Sequence, residues 1–308
     1  MEEKNIFLNI QKFSTLLNKS ISTEYKINHW NNYRNQIKSF IGKNIHNKKE
    51  KKIIVLGAGD CGDINLKFFK NNFKKVLLTD IDKNALKRGI KKQNISNINY
   101  STIDYTGLDN INFYEKLIAL LNKGKEIKKV KNYIDSSLEN IKIRNLINML
   151  QYKFEVVLSL PIYTQFFYQH FQTLINYYEI YKKYNSTDIS EISTFMLNKT
   201  KTVIKNYNYF IKEITTENGR IIALLDMLEY KSESKEIKKI KKLQTLKKRH
   251  EKDKFIKILI KKSGFGIPNF ALKNLNDIFS ERKSKWLLWN FDENRTFIVK
   301  IILFQKII

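Results

Sequence analysis

Apolar residues recur at three- and four-residue spacing over 5–20 and again over 29–41, which predicts two amphipathic helices ahead of a polar, basic connector from Asn44 to Lys52. The pattern then changes. Ile53 to Leu56 is a short continuous apolar run rich in β-branched residues that ends at a glycine, as a buried parallel strand entering a tight turn does. Strands and helices alternate from there. A helix at 63–72 precedes a strand from Lys75 to Thr79, closed by Asp80-Ile81-Asp82; a helix at 83–93, with Asp82 in N-cap position, precedes a strand from Ile98 to Ile103, closed by Asp104. Residues 111–150 read as helical in two or three pieces, with Gly124 the break. Phe154 to Leu160 is a fourth strand, ahead of Pro161. Two long helices, 164–183 and 189–214, are separated by the cap-like Asn185-Ser186-Thr187-Asp188, and Arg220 to Asp226 is a fifth strand. A lysine-rich helical stretch follows over 231–262. Gly264, Gly266 and Pro268 are expected to break the chain before a short helix at 271–280. The runs 285–291 and 296–305, on either side of the polar turn 292–295, predict an antiparallel hairpin.

This alternation predicts an α/β fold: a Rossmann-like, doubly wound, mostly parallel seven-stranded sheet with a C-terminal antiparallel hairpin and an N-terminal helical segment. The expected division is a helical segment at 1–50 and one domain at 51–308, with a helical elaboration at about 164–214. Right-handed crossovers bring the C-terminal ends of parallel strands to one edge, where ligands bind. The first residues after each strand are therefore the candidates for chemistry.

After the first strand stands Gly57-Ala58-Gly59-Asp60-Cys61-Gly62. In such a Gly-x-Gly-x-x-Gly sequence the first glycine permits a sharp turn, the second lets backbone approach a ligand, and the third lets helix and strand pack closely. Asp80, 23 residues after Gly57, is placed to accept the hydroxyls of a ribose. Asp104 is placed to accept from an adenine amino group, with the Tyr105 backbone N–H donating to the ring. The bland alternatives are helix capping for Asp80, shared with Asp82, and a turn aspartate before Gly107 for Asp104.

These residues together resemble the class I S-adenosylmethionine (SAM) dependent methyltransferases, from about Lys51 to the C-terminus. More narrowly, the loop and the Trp30/Tyr33 helix are similar to a group of uncharacterised bacterial methyltransferase-like proteins. The resemblance implies SAM as cofactor, with the glycine loop around its methionine part, Asp80 on the ribose, Ile81 on the adenine face and Asp104 near the adenine. It also implies a reversed last strand slotted beside the fifth, which the 285–305 hairpin would supply. The family's loop reads acid-x-Gly-x-Gly-x-Gly; here Val55 stands at the acid and Cys61 at the third glycine, with Gly62 one residue later. Asp60 or Asp63 would then have to hold the SAM amino group. The departure also gives the complete nicotinamide-dinucleotide fingerprint, so an NAD(P)-dependent oxidoreductase stays an alternative.

Methyl transfer is an in-line displacement that rests on alignment, and no universal catalytic residue is required. The segment after the fourth strand, beginning at Ser159, would lie beside the methyl group. It matches the Asn-Pro-Pro-Tyr motif of amino-methylating enzymes only at Pro161 and Tyr163, with Leu160 in place of the asparagine. Tyr163, Thr164 and Gln165 are the candidates to orient a methyl acceptor, whose identity the sequence leaves open; as a strand end and helix cap they would be merely structural. His170 is a possible base. The aromatic residues between Phe166 and Tyr184 suit either core packing or a lid over the substrate.

Composition narrows this picture. The 308 residues, 42% hydrophobic and 28% charged, suit a folded protein. No run approaches the ~18 apolar residues of a membrane span, and the Met-Glu-Glu-Lys-Asn start lacks the pattern of a signal peptide, so a cytoplasmic location is expected. The single cysteine, Cys61, excludes an internal disulfide and a cysteine-built metal site, and His29, His46 and His250 show no metal-ligand spacing. The net charge of +27 comes with abundant Lys, Ile and Asn, as AT-rich codons would produce. It also suits a polyanion partner, so an RNA- or DNA-binding protein of this fold, methylating its ligand or only holding it, is the second alternative.

Overall fold

The computed structural model describes residues 10–19, 21–231, 242–243, 245–246, 248–263 and 266–307. Its frame is one seven-stranded sheet: β1 (Lys52–Leu56), β2 (Lys75–Asp80), β3 (Asn99–Thr102), β4 (Phe154–Ser159), β5 (Thr215–Lys231), β6 (Phe279–Asn290) and β7 (Arg295–Lys306). The order is β3-β2-β1-β4-β5-β7-β6. Neighbours from β3 to β5 pair in parallel, whereas β7 runs antiparallel to both β5 and β6. The expected reversed last strand beside the fifth is therefore present.

The helices are α1 (Ile10–Lys19), α2 (Thr23–His29), α3 (Asn31–Asn44), α4 (Leu66–Asn72), α5 (Lys83–Lys92), α6 (Phe113–Asn122), α7 (Ile127–Glu139), α8 (Ile143–Asn148), α9 (Tyr168–Tyr177), α10 (Ser186–Ile214), α11 (Arg249–Ser263) and α12 (Gly266–Ile278). They cover both faces of the sheet, which is why β1 reads as an unbroken apolar run. Successive strand residues face opposite ways. Ile54 and Leu56 join the core that holds Phe113, Phe167, Phe210 and Phe304. Ile53 and Val55 join the core that holds Trp30, Tyr33 and Phe69. A third, smaller cluster (Leu228, Tyr230, Ile256, Ile298) packs α11 against the far ends of β5 and β7.

Several boundaries differ from the sequence expectation, each for a local reason. The helix expected at 29–41 is α3, which starts at Asn31 and runs on to Asn44; an unexpected helix, α2, precedes it and is capped by Ser22, whose hydroxyl accepts from the Tyr25 N–H at 3.1 Å. The helix expected from 63 starts at Leu66, because Asn65 caps it by accepting from the Phe68 N–H at 2.8 Å. The helix expected over 164–183 is interrupted where Phe167 and Glu179 take φ of 52° and 51°. Gly266 and Pro268 open α12 instead of breaking the chain; proline is tolerated in a first helical turn. The fifth strand is far longer than 220–226, since α10 runs directly into it at Thr215 and β7 supports it to Lys231. Part of the lysine-rich stretch, Gly264 and residues 5–9 and 20 of the first helix lie outside the described residues.

Candidate functional site

At the C-terminal edge of the parallel strands lies a cleft of about 840 Å³, within the usual size of small-molecule sites. One end is built by short segments following β1, β2 and β3. Gly57, Gly59 and Cys61 take φ of 74°, 48° and 57°. Every second residue of the loop is thus left-handed, and the third such position is a cysteine, in a conformation costing a non-glycine residue about 1–2 kcal/mol. Gly62 lies outside this series. Its place is set by packing, because an added Cβ would stand 2.7 Å from the Lys26 Cβ. The sequence pattern ends at Gly62, but the backbone pattern ends at Cys61.

The loop is held from several sides. Tyr105 Oη accepts from the Gly57 N–H at 2.9 Å and shares a hydrogen bond of 2.8 Å with Thr79 Oγ1, which donates to the Val55 carbonyl. Gln93 Nε2 donates to the carbonyls of Cys61 and Ile64. Arg34 donates to the Gly62 carbonyl at 3.1 Å. Gly89 of α5 lies so close beneath that an added Cβ would stand 2.1 Å from the Asp60 carbonyl oxygen. Neither Gly89 nor Gln93 was singled out from sequence; a glycine inside an amphipathic helix was the signal available.

Asp80 closes β2 and faces this loop, accepting from the Gly59 N–H at 2.7 Å and the Asp82 N–H at 2.9 Å. Burial raises its pKa to about 6 against the pull of those two bonds. A carboxylate has roughly four acceptor sites, so capacity remains for a ligand. Asp63 also lines the cleft; burial chiefly raises it to about 7, with Asp60 and Asp80 adding to the rise and Lys26 opposing it. Asp60 is engaged already: it pairs with Lys26 at 2.8 Å and accepts from Thr23 Oγ1 at 2.9 Å, binding the loop to α2. Asp104 lines the cleft while its carboxylate organises its own turn, accepting from the Thr106 N–H and hydroxyl and the Asp109 N–H. Ile81, Ala58 and Tyr105 line the cleft as well.

Other sequence candidates face elsewhere. Asp82 is buried and caps α5 through the Asn84 and Ala85 N–H groups. The Cys61 side chain is wholly buried in the α3–α4 core, and burial raises its thiol well above the ordinary range. Ser159 is buried against Tyr207 at 2.9 Å. Tyr163 donates to Asn208 at 2.7 Å inside the core, so of the three acceptor candidates only Thr164 and Gln165 reach the cleft. His170 lines the cleft between the rings of Phe13 and Tyr114, 4.2 and 4.1 Å away. Helices α9 and α10 do border the cleft, through Gln169, Gln172, Asn198 and Lys201 among others.

The opposite end has a different construction. Thr164 donates to Asp226 Oδ2. Asp226 sits on β5 beyond the last residue paired with β4, at a bulge between Asp226 and Leu228 that re-aims the strand's side chains. Burial raises its carboxyl to about 7. Trp30, Glu229, Trp289, Phe291, Arg295 and Phe297 complete this end. Sequence inspection found Asp226 only as the end of a strand.

No protein-family model matches the sequence, and no curated protein matches it. Solved structures similar to the chain include the N-methyltransferase NodS from Bradyrhizobium japonicum WM9 in complex with S-adenosyl-L-homocysteine, at 7% identity, 96% of this chain, 98% of that one and a TM-score of 0.45. They also include the PH0226 protein of Pyrococcus horikoshii OT3 (11% identity, 94% and 100% coverage, TM-score 0.43). A SAM-dependent methyltransferase of Methanosarcina mazei is a third, at 8% identity, 87% and 97% coverage and a TM-score of 0.42. Likeness at that level is too slight to bring an activity across.

Proposed function

We propose that the protein is a SAM-dependent methyltransferase. The observation that carries this reading is the left-handed backbone at Gly57, Gly59 and Cys61, hydrogen-bonded through the Gly59 N–H to Asp80, in a sheet whose β7 is reversed between β5 and β6. The alternation places Cys61 where the methyltransferase loop has its third glycine. In this reading the turn from Gly57 to Gly59 borders the methionine part of SAM. Asp80 accepts the ribose hydroxyls, Asp63 takes the amino group, Ile81 covers the adenine, and Asp104 with the Tyr105 N–H meets the adenine edge.

Bound SAM supplies an electrophilic methyl group on a sulfonium. The protein holds the cofactor and acceptor in line and excludes water. Titration calorimetry tests the cofactor: S-adenosylhomocysteine is expected to bind in the micromolar range and NAD not to bind. The reverse result ends the methyltransferase reading in favour of an oxidoreductase.

The net charge of +27 favours a second reading, the same fold acting on or holding nucleic acid. The cleft itself has the opposite character, with Asp60, Asp63, Asp80, Asp104, Asp226 and Glu229 against Lys26, Lys201 and Arg295. An RNA filter-binding titration separates the two: affinity that falls steeply with salt supports phosphate contacts, and a flat response removes them.

A further inference from the structure

Two cleft-lining residues at the β5 end each carry a buried polar atom with no hydrogen-bond partner, Asp226 Oδ1 and Trp289 Nε1, and Tyr33 Oη, also unpartnered, belongs to the core beside them. Tyr33 stacks on Trp289 with ring centroids 4.9 Å apart, and it feels the charges of both Asp63 and Asp226. Buried polar groups are nearly always paired, because an unpaired one loses its hydrogen bonds to water without replacement. An unpaired carboxylate oxygen and an unpaired indole N–H on two residues that line the cleft are complementary to a ligand that donates and accepts there. The charges narrow its class: Asp226 and Glu229 border this end, while Arg295 is engaged with Asp292 at 2.7 Å and lies over the Phe291 ring. Aromatic faces and carboxylates together favour a cation.

Resting on the cofactor reading above, we propose that this end binds the methyl acceptor, a small alkylamine that carries an aromatic ring, with Asp226 oriented by Thr164 to take the amine's proton. The bound ammonium first gives a proton to the free Asp226 oxygen, which passes it to solvent; the lone pair so freed on nitrogen forms the new N–C bond to the sulfonium methyl. The C–S pair passes to sulfur, leaving S-adenosylhomocysteine, and the proton on the methylated nitrogen passes to the free Asp226 oxygen and then to solvent. The raised carboxyl of Asp226, about 7, suits a group that takes up and releases a proton near neutrality.

Tyramine and its carboxylate counterpart, 4-hydroxyphenylacetate, are the probes, titrated into the full-length protein with and without S-adenosylhomocysteine. Tyramine is expected to bind and 4-hydroxyphenylacetate not to. Asp226→Asn is expected to weaken tyramine at least about tenfold while S-adenosylhomocysteine binds as in wild type. Trp289→Phe, which removes the indole N–H together with part of the ring, should weaken tyramine to a lesser extent. Equal or tighter binding of the carboxylate by the wild type overturns the proposal without any variant. So does unchanged tyramine affinity in folded Asp226→Asn. Tyramine binding without any S-adenosylhomocysteine binding would sink the cofactor reading and leave the amine site standing.

Discussion

The two ends of the cleft are built on opposite principles. At the β1–β3 end each acid already serves the backbone: Asp80 holds the Gly59 and Asp82 N–H groups, and Asp104 holds a turn. A ligand there meets a surface that the protein has rigidified for itself. At the β5 end, Asp226 and Trp289 keep polar atoms open, and aromatic rings from α3, β6 and β7 form the wall. The difference teaches that preorganisation and recognition are divided along the cleft. One end is preorganised by its own hydrogen bonds, and at the other, two cleft-lining residues keep buried polar atoms without partners.

Substitutions at the first end should therefore damage structure and cofactor binding together. Gly57→Val meets both obstacles at once: φ of 74° and an added Cβ only 2.4 Å from the Ile162 Cγ2. Backbone strain of about 1–2 kcal/mol and overpacking of about 1–3 kcal/mol should add, lowering stability in urea unfolding and removing S-adenosylhomocysteine binding. Retained binding would show that the loop does not border the cofactor. Asp80→Ala should weaken S-adenosylhomocysteine by about 1–3 kcal/mol, through the ribose and through the freed Gly59 N–H. Asp226→Asn, at the other end, should leave that affinity intact, and a loss there equal to that of Asp80→Ala would erase the distinction between the ends.

The same division explains what could be read from sequence. The first end comes from three short stretches, each directly after a recognisable strand, so Gly57, Gly59, Asp80 and Asp104 stood out by position. The second end gathers Trp30, Thr164, Asp226, Trp289 and Phe297, which only the pairing of β5 with the reversed β7 and the packing of α3 bring together. No local pattern encodes that. Side-chain direction was likewise hidden: Ser159, Tyr163 and Asp82 occupy the expected places in the chain but face the core, where Tyr207, Asn208 and the first turn of α5 compete for them. Helix ends failed where one residue in a left-handed conformation, such as Phe167, stops a run that its apolar spacing would continue.

Acidity offers a finer test. Asp63 and Asp80 are raised by burial to about 7 and about 6. If both bind the cofactor ionised, S-adenosylhomocysteine affinity should be flat above pH 7.5 and fall by up to about tenfold per pH unit as each protonates. Asp63→Asn should remove the upper part of that fall. Stability of the cofactor-free protein should run the other way. A carboxyl with a folded pKa above its unfolded value leaves the native state holding more protons between about pH 4 and 7, so its contribution to stability declines as pH rises through that window. Thermal melts of Asp63→Asn against wild type at pH 5.5 and 7.5 check the sign: the wild type should lose more on going to pH 7.5.

The smallest expected effect falls on the residue where sequence and backbone patterns disagree. Cys61 has the left-handed φ of 57° with its side chain wholly buried. Cys61→Gly relieves about 1–2 kcal/mol of backbone strain but gives up a small apolar side chain and adds chain entropy, about 0.5–1 kcal/mol for the latter. The opposing terms should leave stability within about 1 kcal/mol of wild type and S-adenosylhomocysteine affinity unchanged. Gly62→Ala, by contrast, drives a methyl group into Lys26 and so into the Lys26–Asp60 pair that joins the loop to α2. If Cys61→Gly destroys S-adenosylhomocysteine binding, Cys61 does not stand at a glycine position of the loop, and the division between the two ends must be redrawn from its first residue.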